Sequence, residues 1–131
     1  MIDTTLVKQL GADEYGMKVF ALVYLKPGNT PQTDASQATK IQKEHLKYLK
    51  SLMEKGTMLL LGPVMEEASI VGICIYNCDI EEAKKLAQAD PAVLSGKLSI
   101  EIHPWYGSAA IMKIPEIHKT IEAKSFADIL Q

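Results

Sequence analysis

Apolar positions along the chain fall into two patterns, continuous runs and helically spaced stripes. Residues 18–25, Lys-Val-Phe-Ala-Leu-Val-Tyr-Leu, are almost wholly apolar and rich in β-formers. That pattern predicts a strand buried on both faces. Lys26-Pro27-Gly28-Asn29 closes it as a turn, and a polar loop runs on from Pro27 to Ala35. Asp34, with Gln37 three residues later, resembles a capping box. The helix it opens is predicted over Ser36–Lys55 and ends at Gly56. Ile41, His45, Tyr48, Leu49, Leu52 and Met53 form one face of it. Met58–Val64 and Ser69–Asn77 read as two further strands, joined by a short hairpin connection around Met65-Glu66-Glu67. Asp79 caps a second helix that reaches Asp90, with Ala83, Leu86, Ala87 and Asp90 on one face. Pro91 stops that helix, and Pro91–Ser95 adds a turn ended by Gly96. Lys97–His103 then alternates Leu98, Ile100 and Ile102 with Ser99, Glu101 and His103, a fourth strand.

The resulting order is β-α-β-β-α-β, an α+β fold of the ferredoxin-like split type, with an antiparallel sheet and both helices on one face. The first and third strands offer apolar residues to both sides: Val19, Ala21, Val23 and Leu25 against Phe20, Leu22 and Tyr24, and Val71, Ile73 and Ile75 against Ile70, Cys74 and Tyr76. A solvated second face would be a larger apolar patch than monomers normally carry. A homodimer, with a second copy covering that face, is therefore expected. Residues 1–16 form an N-terminal extension with a short helix over Thr4–Leu10, residues 17–107 the domain, and residues 108–131 a C-terminal extension. In the last, Ala109–Ile114 reads as a short extra strand and Pro115–Leu130 as a helix, with Ile117, Ile121, Phe126, Ile129 and Leu130 on its apolar side. Whether this tail packs on the partner subunit is left open by the sequence.

With 131 residues the chain makes one domain, and 47% apolar with 23% charged residues is the balance of a soluble globular protein. All fourteen basic residues are lysine and the net charge is −2. Without arginine or a basic excess, no nucleic-acid partner is expected. No apolar run is long enough to span a membrane, and the N-terminus lacks the basic and apolar regions of a signal peptide. A cytoplasmic protein is expected. Cys74 and Cys78, four apart in a strand, would be separated by roughly 13 Å, too far for a disulfide. They read as small buried hydrophobes.

No phosphate loop, dinucleotide fingerprint or nucleophile elbow is present. His45, His103 and His118 have no metal-ligand spacing among them, so neither metal nor cofactor is expected, and His118 reads as solvated. His45, on the apolar face of the first helix, is either a hydrogen-bonded core histidine or a general acid/base lining a pocket. Asp90 lies on the apolar face of the second helix, against the unfavourable end of its dipole. Either it caps the turn at Pro91, or it pairs with His45 and fixes the imidazole tautomer. Trp105 and Tyr106, beside His103, suit a dimer-interface anchor or an aromatic small-molecule pocket equally well in chemistry. Glu101 shares a strand face with His103, as an acid partner or as a solvated carboxylate.

His45-Leu46, Gly62-Pro63, Glu82-Ala83, Asp90-Pro91, Gly96 and His103-Pro104-Trp105 form an ordered set that resembles the YCII-related family over Met17–Tyr106. The flanking Gly11-Ala12-Asp13-Glu14-Tyr15-Gly16-Met17-Lys18 and Trp105-Tyr106-Gly107-Ser108-Ala109-Ala110 are similar to a longer bacterial subgroup. The resemblance implies a dimeric α+β barrel, two sheets packed face to face, and a His/Asp active site falling on His45 and Asp90. A relative in that family removes chloride from a chlorinated hydroquinone, and muconolactone isomerases share the broader fold. Many short members carry arginine three residues before the histidine, where this chain has Gln42, which leaves Lys43 or Lys40 as nearby cations. Most family members have no assigned reaction; the expected function is a cofactor-independent lyase or isomerase acting on a small aromatic or enol-type molecule, with His45 and Asp90, the site the resemblance implies, catalytic and with Tyr48, His103 and Trp105 contacting substrate. The alternative is a non-catalytic dimer that binds a small molecule or serves a structural role.

Overall fold

The computed structural model describes residues 1–30 and 34–128. Aspartates open the first three helices, Asp34 and Asp79 among them as expected. Asp3 accepts from the Leu6 amide at the start of α1 (Thr4–Leu10). Asp34 accepts from Ser36 and Gln37 at the start of α2 (Ala35–Glu54). Asp79 accepts from Glu82 at the start of α3 (Ile80–Gln88). The strands are β1 (Met17–Pro27), β2 (Met58–Pro63), β3 (Gly72–Tyr76) and β4 (Leu98–Ser108). A short helix, α4 (Pro91–Leu94), stands between α3 and β4. The sheet is antiparallel throughout, in the order β2-β3-β1-β4. Each βα unit thus returns with one strand inserted between its two, the ferredoxin-like α+β topology.

Both crossovers place their helices on one side of the sheet. There Ala21, Val23 and Leu25 of β1, with Cys74 and Tyr76 of β3, pack against Leu49 and Leu52 of α2 and Ala83 and Ala87 of α3. Met58 completes this core from β2. On the other side Phe20, Leu59 and Ile75 form a smaller cluster, joined by Leu22, Leu60 and Trp105.

Four elements differ from the expectations. The fourth strand does not end at His103 but continues through Trp105 to Ser108, in unbroken register with β1 from Pro27↔Leu98 to Met17↔Ser108. A long β1 supplies partners for all of it, and Pro104 is tolerated because β4 is an edge strand. The third strand is shorter than Ser69–Asn77, beginning only at Gly72.

The expected strand over Ala109–Ile114 is instead a 3-10 helix, Ala109–Lys113. β1 has no residue left to pair beyond Met17. The Ala109 amide bonds the Gly16 carbonyl at 2.8 Å and the chain turns. Ile111 and Met112 then fold onto the Phe20–Leu59–Ile75 cluster, so this stretch covers part of the outer sheet face.

The helix expected over Pro115–Leu130 is only α5 (Ile114–His118), followed by turns and a 3-10 turn at Phe126–Asp128. Ile117 and Ile121 are exposed. Without a buried stripe, a helix extended to Leu130 would lack the tertiary packing that sustains most helices. Phe126 joins the main core. Ile129 and Leu130 lie outside the described residues.

Candidate functional site

The centre of α2 faces the sheet, and His45 is carried there between Ile41 and Leu49, all three buried. Asp90 follows α3 and does two things with its two oxygens. Oδ1 accepts from the Ala92 amide at 2.9 Å, which makes Asp90 the N-cap of α4. Oδ2 lies 2.6 Å from Nδ1 of His45. Capping and pairing, posed as alternatives from the sequence, are both present. The residue follows the C-terminus of α3 but also stands at the favourable end of α4, which offsets the dipole conflict.

Only 6% of His45 and 2% of Asp90 are exposed. A carboxylate only accepts, so the His45 Nδ1–H donates to it, and in the neutral ring it is Nε2 that carries the lone pair. Among the described residues Nε2 has no hydrogen-bond partner, and no buried side-chain nitrogen or oxygen lacks one. The ring edge carrying Nε2 is therefore accessible. It opens onto a cavity of about 510 Å³ between α2, the β2–β3 edge of the sheet and the start of β4. Leu25, Leu46, Leu49, Leu61, Val71, Leu98 and Phe126 supply its apolar walls. Its polar side chains are His45, Gln42 and Lys97, together with the Cys74 thiol. Burial, and then the charge of Asp90, push that thiol up to about 12. Cys74 is thus a protonated wall at neutral pH and no nucleophile.

Tyr48 lies one turn from His45 on the same helix, but its hydroxyl is committed to the Leu86 carbonyl at 2.7 Å. It ties α2 to α3 beside the dyad without lining the cavity. Burial and the nearby Asp90 charge raise its phenol above the ordinary value.

His103 and Trp105 are not brought to this site. They pair across the sheet with Leu22 and Phe20, and so lie on the face away from the helices. Trp105 packs on Phe20 with ring centroids 6.1 Å apart and lies over Gly107, where an added Cβ would come within 2.1 Å of the indole. His103 bonds Glu101 at 2.7 Å, and Lys26 reaches the same carboxylate at 3.2 Å. These contacts, His103 first, hold the Glu101 carboxyl below its ordinary value. Glu101 is thus both exposed and paired. His118 is part-exposed, 3.3 Å from Glu122. Cys74 is buried as expected, Cys78 is only half-buried, and both are free.

Two cavity residues escaped sequence reasoning. Lys97 opens the expected fourth strand, where its local sequence carries no sign of a site, yet its Nζ reaches Gln42 Oε1 at 3.3 Å. Lys40 and Lys43, the cations expected near Gln42, are exposed, and Lys43 stands on the outer surface with Lys47 and Lys50. Phe126 is brought back to the cavity by the turns after α5, for which no local signal exists. Among the described residues no three His, Cys, Asp or Glu side chains are grouped to hold a metal ion, and no helix is long and apolar enough to cross a membrane.

No curated protein matches the chain. The model of the YCII-related domain matches residues 17–106, from the first residue of β1 to Tyr106 of β4 and with both members of the dyad inside it, and the chain belongs to the YCII-related family.

Proposed function

We propose that the protein is a cofactor-independent lyase or isomerase that moves a proton on a small, largely apolar molecule held in the cavity. The observation that carries this reading is the 2.6 Å His45–Asp90 pair with its second ring nitrogen opening onto about 510 Å³ of apolar-walled space. That volume is in the usual range of small-molecule sites, about 300–1,000 Å³. Asp90 holds the imidazole by Nδ1, so Nε2 is presented as the base. When Nε2 takes a proton, the carboxylate stabilises the imidazolium without itself becoming protonated. The apolar walls keep water from the developing charge, where electrostatic stabilisation counts for more. In this mechanism Asp90 is a positioning residue and His45 the group that touches substrate.

Exchange of carbon-bound hydrogen in D₂O tests the reading. Enolisable aryl ketones and keto acids are incubated with the wild type and with His45→Gln and followed by proton NMR. Saturable exchange that disappears in His45→Gln is expected. Exchange equal in both proteins, or binding without exchange across the panel, would leave the pair as a link between α2 and α4 and favour a binding or structural role.

A homodimer through the outer sheet face is part of the same proposal. Ile73, 36% exposed, lies there with half-buried Leu22 and Tyr24. Sedimentation equilibrium checks it: a dimer that Ile73→Lys converts to monomer is expected, and a monomeric wild type refutes it.

A further inference from the structure

Lys97 is the one ammonium among the described side chains lining the cavity. It is part-buried, and the partner it has there is a neutral amide, Gln42 Oε1 at 3.3 Å. Among the described residues no carboxylate lies within ion-pair distance of it. The buried acid among the described residues, Asp90, does not serve here, because it is committed to His45 and to its own cap. Among the described residues the cavity therefore presents an unneutralised cation beside apolar walls.

The backbone that carries Lys97 is pinned. Its carbonyl accepts from the Gly28 amide at 2.8 Å, and the Gly96 carbonyl accepts from Thr30 at 3.0 Å. The two strands of this clamp approach so closely that a Cβ on Gly28 would stand 1.9 Å from the Gly96 oxygen. The stem of Lys97 thus starts from a fixed point at the end of the cavity. Its head is held at Gln42, three residues before His45 and so a neighbour on the same helix face, roughly 5–6 Å away between Cβ atoms.

We infer that the ligand of this cavity is a small organic carboxylate with an apolar, aryl-sized body. Its carboxylate is bound by Lys97 with Gln42 alongside, and its body is laid along the leucine walls toward His45. The inference rests on the reading of the cavity as the proton-transfer site and gives that site its substrate class. The ammonium forms charge-assisted hydrogen bonds to the carboxylate, and the Gln42 amide nitrogen donates to the second oxygen. A group one helical turn from His45 places the carbons next to the acid function within reach of Nε2.

Calorimetric titration of an unreactive pair of probes, 3-phenylpropanoate and its neutral counterpart 3-phenylpropanamide, tests the inference separately from the chemistry, since it requires no proton transfer. The wild type is expected to bind the carboxylate at least about tenfold more tightly than the amide, a ratio worth about 1.4 kcal/mol. Lys97→Met should erase that preference while leaving amide affinity unchanged. Lys97→Arg should keep it, which guards against misreading a folding defect. His45→Gln should keep it as well. Equal affinities for the two probes, failure of both to bind, or a preference that survives Lys97→Met would each overturn the anchor. A preference lost only in His45→Gln would transfer the anion to the imidazole and overturn it too. A carboxylate preference that holds in a protein showing no deuterium exchange would defeat the proton-transfer reading alone.

Discussion

Replacing Asp90 separates its two bonds, because asparagine has one acceptor where aspartate has two. In the wild type Oδ1 serves the Ala92 amide and Oδ2 the His45 Nδ1–H. In Asp90→Asn the side-chain oxygen can keep the cap, which turns its NH₂ toward His45. Nδ1 must then accept, and the ring proton moves to Nε2. The base at the cavity becomes a donor. Turning the amide the other way sets its NH₂ against the Ala92 N–H and loses a cap worth about 1 kcal/mol. Either orientation costs about 1 kcal/mol of stability. Asp90→Ala loses the cap and leaves a buried N–H unpartnered, a further ~1–3 kcal/mol, for about 2–4 kcal/mol together. At this chain length each kcal/mol lowers the melting temperature by about 4 °C. Nitrogen-15 correlation spectra of the imidazole report the tautomer, and urea denaturation reports the stability. Proton-transfer activity should fall by about 10²–10⁴ in Asp90→Asn, with far less loss of stability than in Asp90→Ala. A ring that keeps its proton on Nδ1 in Asp90→Asn, or stability unchanged in Asp90→Ala, would refute the reasoning.

Thiol titration at pH 8 should find Cys78 reacting slowly, since burial and then Glu82 and Asp79 raise it. Cys74, pushed up to about 12 and 1% exposed, should react only on unfolding; two fast thiols in the native protein would contradict this burial. Gly107→Ala forces the only tryptophan off β4, because the new methyl would overlap its ring. A changed fluorescence maximum and a loss of about 1–3 kcal/mol are expected, and an unchanged spectrum would refute the close approach. The Glu101 carboxyl is held below its ordinary value in the folded state. Its pairing with His103 and Lys26 therefore contributes stability above pH about 4.5, lost as pH falls through the lower folded value. Glu101→Gln should flatten the acid side of the stability profile over that window. An identical profile would show that the exposed network contributes nothing.

Much of the fold was legible because its signals are local. Asp3, Asp34 and Asp79 cap the helices they open, Pro91 and the glycines end elements where expected, and the period of the apolar residues separates strands from α2 and α3. The element order then leaves few topologies, and the ferredoxin-like one is found. The errors lie where a local pattern met a non-local constraint. Pro104 resembles a strand end, yet the length of β1 carries β4 past it to Ser108. The tail after Gly107 has apolar residues but no periodicity that anchors them, so the available surface on Phe20, Leu59 and Ile75 shapes it instead.

The site divides in the same way. The sequence by itself determined that a histidine sits on the buried face of α2 and an aspartate at the close of α3, since helical spacing dictates which residues face the sheet. Only the tertiary structure decided that they meet at 2.6 Å, that capping and pairing share one carboxylate, and that His103 and Trp105 belong to the opposite face. It alone brought Lys97 of the β4 approach to Gln42 of α2, 55 residues apart in the chain. Periodicity specifies the direction of a side chain from its own element. The distance between two such side chains depends on how the elements pack, and packing is a property of the whole core.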